Sequence, residues 1–203
     1  MPLATAAWIA GPPIPKGVKP KRFDCPHFVV VGTIEGRKNH ELLLHIWQRM
    51  ADGGGSVPLL VIVGQRGWEA ESVTAMLDCG SELKGSVLEL GRCADDELAA
   101  IIAGARALLM PSFAEGFGLP VVEALELGTP VIASDLAVFR EIAGDLPTYL
   151  DCLDAPAWEH AIRSFVQDGP ERQRQLDRIG GYRPPDWSRH FDIVDSWIET
   201  LFR

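Results

Sequence analysis

Two carboxylates, Glu115 and Glu123, flank a glycine-rich turn in segment 111–124, with seven residues between them. The apolar run 107–110 just before the turn reads as a buried strand. The run 119–127 after it reads as a helix, with Pro120 in the first turn, where a missing N–H costs nothing. Gly128 is placed to end that helix, and Pro130 prevents its continuation. Strand, glycine turn and helix in this order put the turn at the carboxyl end of a strand, where open parallel α/β sheets bind ligands. The free N–H groups and the dipole of such a helix start suit a phosphate. Two acids beside an anion site need a different partner, and hydroxyl groups supply one. The spacing therefore points to a ligand with both phosphate and sugar. Gly116 and Gly118 allow the chain to approach it without an intervening Cβ. Phe117 belongs to the turn as a further binding residue, and the backbone N–H groups of Leu119 and Val121, in the first helical turn with Pro120, are expected to face phosphate.

These residues must be held by a larger frame. Short apolar runs at 27–31, 59–63, 86–90, 107–110, 131–133 and 148–150 read as strands. Between them, Leu42, Leu43, Ile46 and Met50 recur at helical spacing behind Asn39 as N-cap, and Leu98, Ile101, Ile102 and Ala105 share one face behind an Asp95 cap. Alternating β and α elements with short connections imply a parallel sheet covered on both sides, hence one doubly wound α/β domain with a Rossmann-like sheet. Helices are expected at 157–166, at 171–179 and at about 187–202, the last carrying Phe191, Val194, Trp197, Ile198 and Leu201 on one stripe. Residues 1–25 are Pro/Gly-rich without periodicity and read as a linker or tail, which leaves 26–203 as the domain.

Bulk properties narrow the classes. A net charge of −9 and a pI near 5.0 argue against a nucleic-acid partner. The basic run 16–22 reads as a solvated linker. No segment reaches the apolar length of a membrane-spanning helix, and the start lacks the charged leader of a secretion signal. Cys25, Cys79, Cys93 and Cys152 are scattered without a paired motif, as expected of reduced cytoplasmic thiols. His40 and His45 lie five apart and so do not share a helix face, and no His or Asp cluster has ligand spacing; no metal and no cofactor is expected.

Several of these segments resemble one family. Glu115 and Glu123 resemble the paired-glutamate motif of retaining glycosyltransferases with the two-domain GT-B fold, in particular the family-four bacterial sugar transferases. Segments 28–39, 59–64, 90–93, 128–134 and 140–144 (with Glu141) are also similar and come in the same order, so the likeness covers roughly 28–150. It implies a donor-binding C-terminal domain that holds a nucleoside-diphosphate sugar. By resemblance, Glu115 accepts from a donor-sugar hydroxyl and Glu123 from the ribose. Lys38 matches the lysine that neutralises phosphate, and Arg37 adds a planar fork to the same oxygens. Gly32 and Thr33 form the phosphate loop; many members carry Arg where Thr33 stands, so Arg37 is expected to replace that cation. Arg92 and Cys93 occupy the position where relatives offer backbone groups to the nucleobase, and Trp68 is a candidate to stack on it.

The resemblance further implies an absent N-terminal acceptor domain, supplied in cis or in trans, and a chain inactive by itself. It suggests a cytoplasmic enzyme of polysaccharide synthesis, with the inner membrane face as one place of work and any peripheral membrane contact made through the missing half. GDP-mannose is slightly preferred as donor. Two other readings fit the same residues: a natural half-enzyme paired with a separate acceptor subunit, and a non-catalytic sugar-nucleotide or interaction module.

Overall fold

The computed structural model describes residues 17–184 and 187–201. Its centre is a sheet of six parallel strands in the order β3-β2-β1-β4-β5-β6. The strands are β1 (His27–Val31), β2 (Leu59–Val63), β3 (Val87–Leu90), β4 (Leu108–Met110), β5 (Val131–Ser134) and β6 (Thr148–Leu150). In register, Val29 of β1 pairs with Val61 of β2 on one side and with Leu108 of β4 on the other. Eight α-helices accompany the strands among the described residues: α1 (His40–Asp52), α2 (Glu71–Cys79), α3 (Asp95–Gly104), α4 (Leu119–Glu126), α5 (Ala137–Ala143), α6 (Ala155–Val166), α7 (Pro170–Ile179) and α8 (Trp187–Leu201).

Strand periodicity divides the core into two layers. Phe28, Val30, Leu60 and Ile62 meet Leu43, Leu44, Trp47, Trp158 and Phe165 of α1 and α6 on one face. Val29, Val61 and Val63 meet Ile101, Ile102, Val121, Leu125 and Phe139 of α3, α4 and α5 on the other. Trp47 is fully buried and donates its indole N–H to the Pro58 carbonyl at 2.7 Å. The doubly wound expectation is therefore met, and the direction of winding reverses between β1 and β4.

Local differences have local causes. Asn39 is not a side-chain cap: it sits in the left-handed region (φ 55°), and its amide is used elsewhere. Asp95 is the first residue of α3 rather than its cap, a position Ala94 takes without a side-chain hydrogen bond. Leu43, Ile46 and Met50 are buried as expected, but Leu42 is only partly buried, and Leu44 and Trp47 join the buried face of α1. Periodicity does not anticipate the short helices α2 and α5, because it has little to work on in nine and seven residues. Of the stretch read as a linker, 1–16 lies outside the described residues. The part near β1 is docked: the Lys21 N–H donates to the Ala100 carbonyl at 2.8 Å, and Phe23 meets His27 edge-on at 4.8 Å.

At the end of the sheet away from the β1 and β4 loops, Gln175 of α7 is fully buried. Its oxygen accepts from Val131 N–H at 2.7 Å, and its nitrogen donates to the Val131 carbonyl at 2.9 Å and to Thr148 Oγ1 at 3.0 Å. A leucine here would leave buried groups unpaired, each costing about 1–3 kcal/mol. Gln175→Leu is expected to lower unfolding stability by roughly 2–4 kcal/mol, read as a lower urea midpoint at unchanged slope.

Candidate functional site

The site begins where β1 ends. Gly32 has φ 134°, and a Cβ there would press on Lys38 Cε and Nζ at 3.3 Å. Its N–H donates to the Val63 carbonyl at 2.9 Å, which holds the loop against β2. Thr33 is exposed, whereas Ile34 is fully buried and anchors the loop in the core. A single 3-10 turn, Gly36–Lys38, then delivers Arg37 and Lys38 to the β4 side.

Asn39 fastens this loop to two other strand ends. Its amide donates to the Pro111 carbonyl at 3.1 Å and to the Cys152 carbonyl at 3.0 Å. The Phe113 N–H donates to the Arg37 carbonyl at 2.8 Å, which ties the β1 and β4 loops together. The Arg37, Lys38 and Glu115 side chains meet as a result. Lys38 Nζ lies 2.7 Å from Glu115 Oε1, and Arg37 NH1 lies 3.1 Å from Glu115 Oε2. Ser112 Oγ donates to the same Oε1 at 2.7 Å. Glu115's side chain is only 6% exposed and Lys38's 11%, but Arg37's is 49% exposed. Arg37 NH2 also lies 2.5 Å from Glu35 Oε1, an ion pair without hydrogen-bond geometry. Sequence reasoning does not single out Ser112 or Glu35; a small hydroxyl beside the motif glutamate is the signal that marks Ser112.

Next to the cations, His40 is 1% exposed and both its ring nitrogens lack a hydrogen-bond partner among the described residues. Burial, and then the charge of Lys38, push its pKa down to about 4, so the ring is neutral near pH 7 and adds no cation to the site.

The glycine turn is built for two purposes. Gly118 has φ 90°, and a Cβ there would strike the Phe139 ring at 2.6 Å, so this glycine lets α4 pack on α5. A Cβ on Gly116 would meet only open space, which leaves its surface free. Phe117 packs partly into the core, and Leu119 is 37% exposed at the head of α4. The Val121 N–H is not free as expected: it donates to the Gly118 carbonyl at 2.9 Å.

Glu123 lies on the next turn of α4 and is not part of the ionic cluster. Burial, then the charges of Asp95 and Glu126, push its carboxyl above the usual range. Its helix, α4, packs against α3, the helix that follows Arg92 and Cys93; Arg92 is exposed and Cys93 partly buried. On the β2 side, Arg66 is occupied by Asp78 and Glu89, each at 2.7 Å, while Trp68 is 82% exposed.

The family profile described as "Glycosyl transferases group 1" matches residues 16–180. The chain is 34% identical over 143 residues to "O-antigen chain mannosyltransferase B" of Escherichia coli, covering 70% of this chain and 37% of that protein. It is 28% identical over 172 residues to "O-antigen chain mannosyltransferase RfbU" of Salmonella typhimurium, covering 85% and 46%. It thus spans less than half the length of these relatives. Among solved structures, sucrose-phosphate synthase from Thermosynechococcus elongatus superposes with a TM-score of 0.67 at 25% identity, over 88% of this chain and 46% of that one. The chain belongs to the group 1 glycosyl transferases.

Proposed function

We propose that this domain binds the nucleoside-diphosphate sugar of a retaining glycosyltransferase, with GDP-mannose the preferred donor. The observation that carries the reading is the meeting of Lys38, Arg37 and Glu115 at the reversal of the sheet. Lys38 and Arg37 stabilise the charge that develops on the leaving diphosphate, so the reading calls for no metal. Glu115 accepts from a sugar hydroxyl and Glu123 from the ribose, which fixes the donor's register. The two mannosyltransferase relatives support the sugar, though only over part of their length.

An acceptor-binding half completes the site, in cis or in trans. The exposed apolar residues of α8 favour such a partner: Trp197 is 52% exposed, Ile198 40% and Leu201 61%. Alone, the chain is expected to bind nucleotide weakly and to transfer no sugar.

Two measurements check this reading. In calorimetric titration, Lys38→Ala is expected to weaken GDP binding about tenfold through loss of a charge-assisted contact. Equal affinity in the parent, Lys38→Ala and Glu123→Ala would favour a non-catalytic module instead. The second follows from the raised pKa of Glu123. The folded chain holds that proton more tightly than the unfolded chain, so ionisation costs stability above the ordinary value of 4.5 and costs nothing well below it. Glu123→Gln is therefore expected to melt higher than the parent at neutral pH, with the gap closing toward acid; a gap that does not change with pH would count against it.

A further inference from the structure

Two cations and two carboxylates, Lys38 and Arg37 against Glu115 and Glu35, make the cluster neutral as it stands. A diphosphate entering it meets cations that are already paired, and to engage Lys38, largely buried against Glu115, it must displace that partner. Glu35 is held by Arg37 alone among these contacts, whereas Glu115 engages both cations. We propose that Glu115 is an internal stand-in for the donor's diphosphate, exchanging both cations to the ligand and taking a sugar hydroxyl in return. The inference rests on the donor-binding reading and adds to it how the site tells the intact donor from the spent nucleotide.

The argument turns on burial. With its side chain 6% exposed, Glu115 is poorly reached by water. Once the cations turn to phosphate, Ser112 Oγ is the remaining partner among those described, and it serves only Oε1. A buried carboxylate that has lost its cations is costly. A sugar hydroxyl donated to Oε2 offsets that cost, and a nucleoside diphosphate without sugar does not. The intact donor is therefore held, while after transfer the return of Glu115 to Lys38 and Arg37 helps expel the diphosphate.

The test uses the whole chain with inorganic pyrophosphate, which does not depend on the base, and then with GDP and GDP-mannose. Glu115→Gln keeps the shape and removes the competing charge. It is expected to bind pyrophosphate and GDP roughly tenfold more tightly than the parent, and to lose the parent's preference for GDP-mannose over GDP. Should the glutamine variant fail to fold by circular dichroism, Glu115→Asp, which withdraws the charge by one methylene, carries the test with a smaller gain. Unchanged or weaker pyrophosphate binding in the folded variant overturns the inference. If Lys38→Ala still weakens GDP binding in that case, the donor reading survives; if Lys38→Ala has no effect either, both fall.

Discussion

The amide of Asn39 joins three strand ends, and the site depends on that junction. Neighbouring strands β1 and β4 send their chains to opposite faces of the sheet, so their loops diverge and open a crevice. Asn39 closes the base of that crevice by donating to carbonyls after β4 and β6. Its left-handed backbone makes the turn, a conformation that asparagine tolerates better than most residues. The cations and Glu115 then come from different loops yet meet within hydrogen-bond distance.

That geometry gathers Lys38 and Arg37 at one point of a molecule whose overall charge would repel an anion. The chain carries a net charge of −9, so a diphosphate is not drawn in by the overall field. On the proposed reading, recognition of a diphosphate is local, through short contacts to Lys38 and Arg37, of which Lys38 is largely buried and so less screened. Keeping His40 neutral fits the same economy, since a further buried cation beside Lys38 would be unfavourable.

Most of the frame was legible from sequence because its signals are local. The strand at 27–31 and its partner at 59–63 are continuous apolar runs, and Gly128 and Pro130 punctuate α4 as read. The positions of Glu115, Lys38 and Arg37 were legible through motif likeness, but their mutual pairing was not, because the residues lie 77 and 78 positions apart. Asn39 shows the limit most clearly. Its type and place before a helix suggest a cap, and only the tertiary fold reveals that its amide reaches two distant carbonyls. Val121 is the converse: a helix-start N–H that sequence leaves available is taken by the turn itself.

The buried amide of Gln175 has a wider consequence. It imitates a missing strand neighbour at the pole opposite the crevice, bonding both backbone groups of Val131. Cohesion of β5 and β6 is thereby secured far from the crevice. The loops at the crevice therefore do not have to hold that pole of the sheet together, and changes in them leave its cohesion intact.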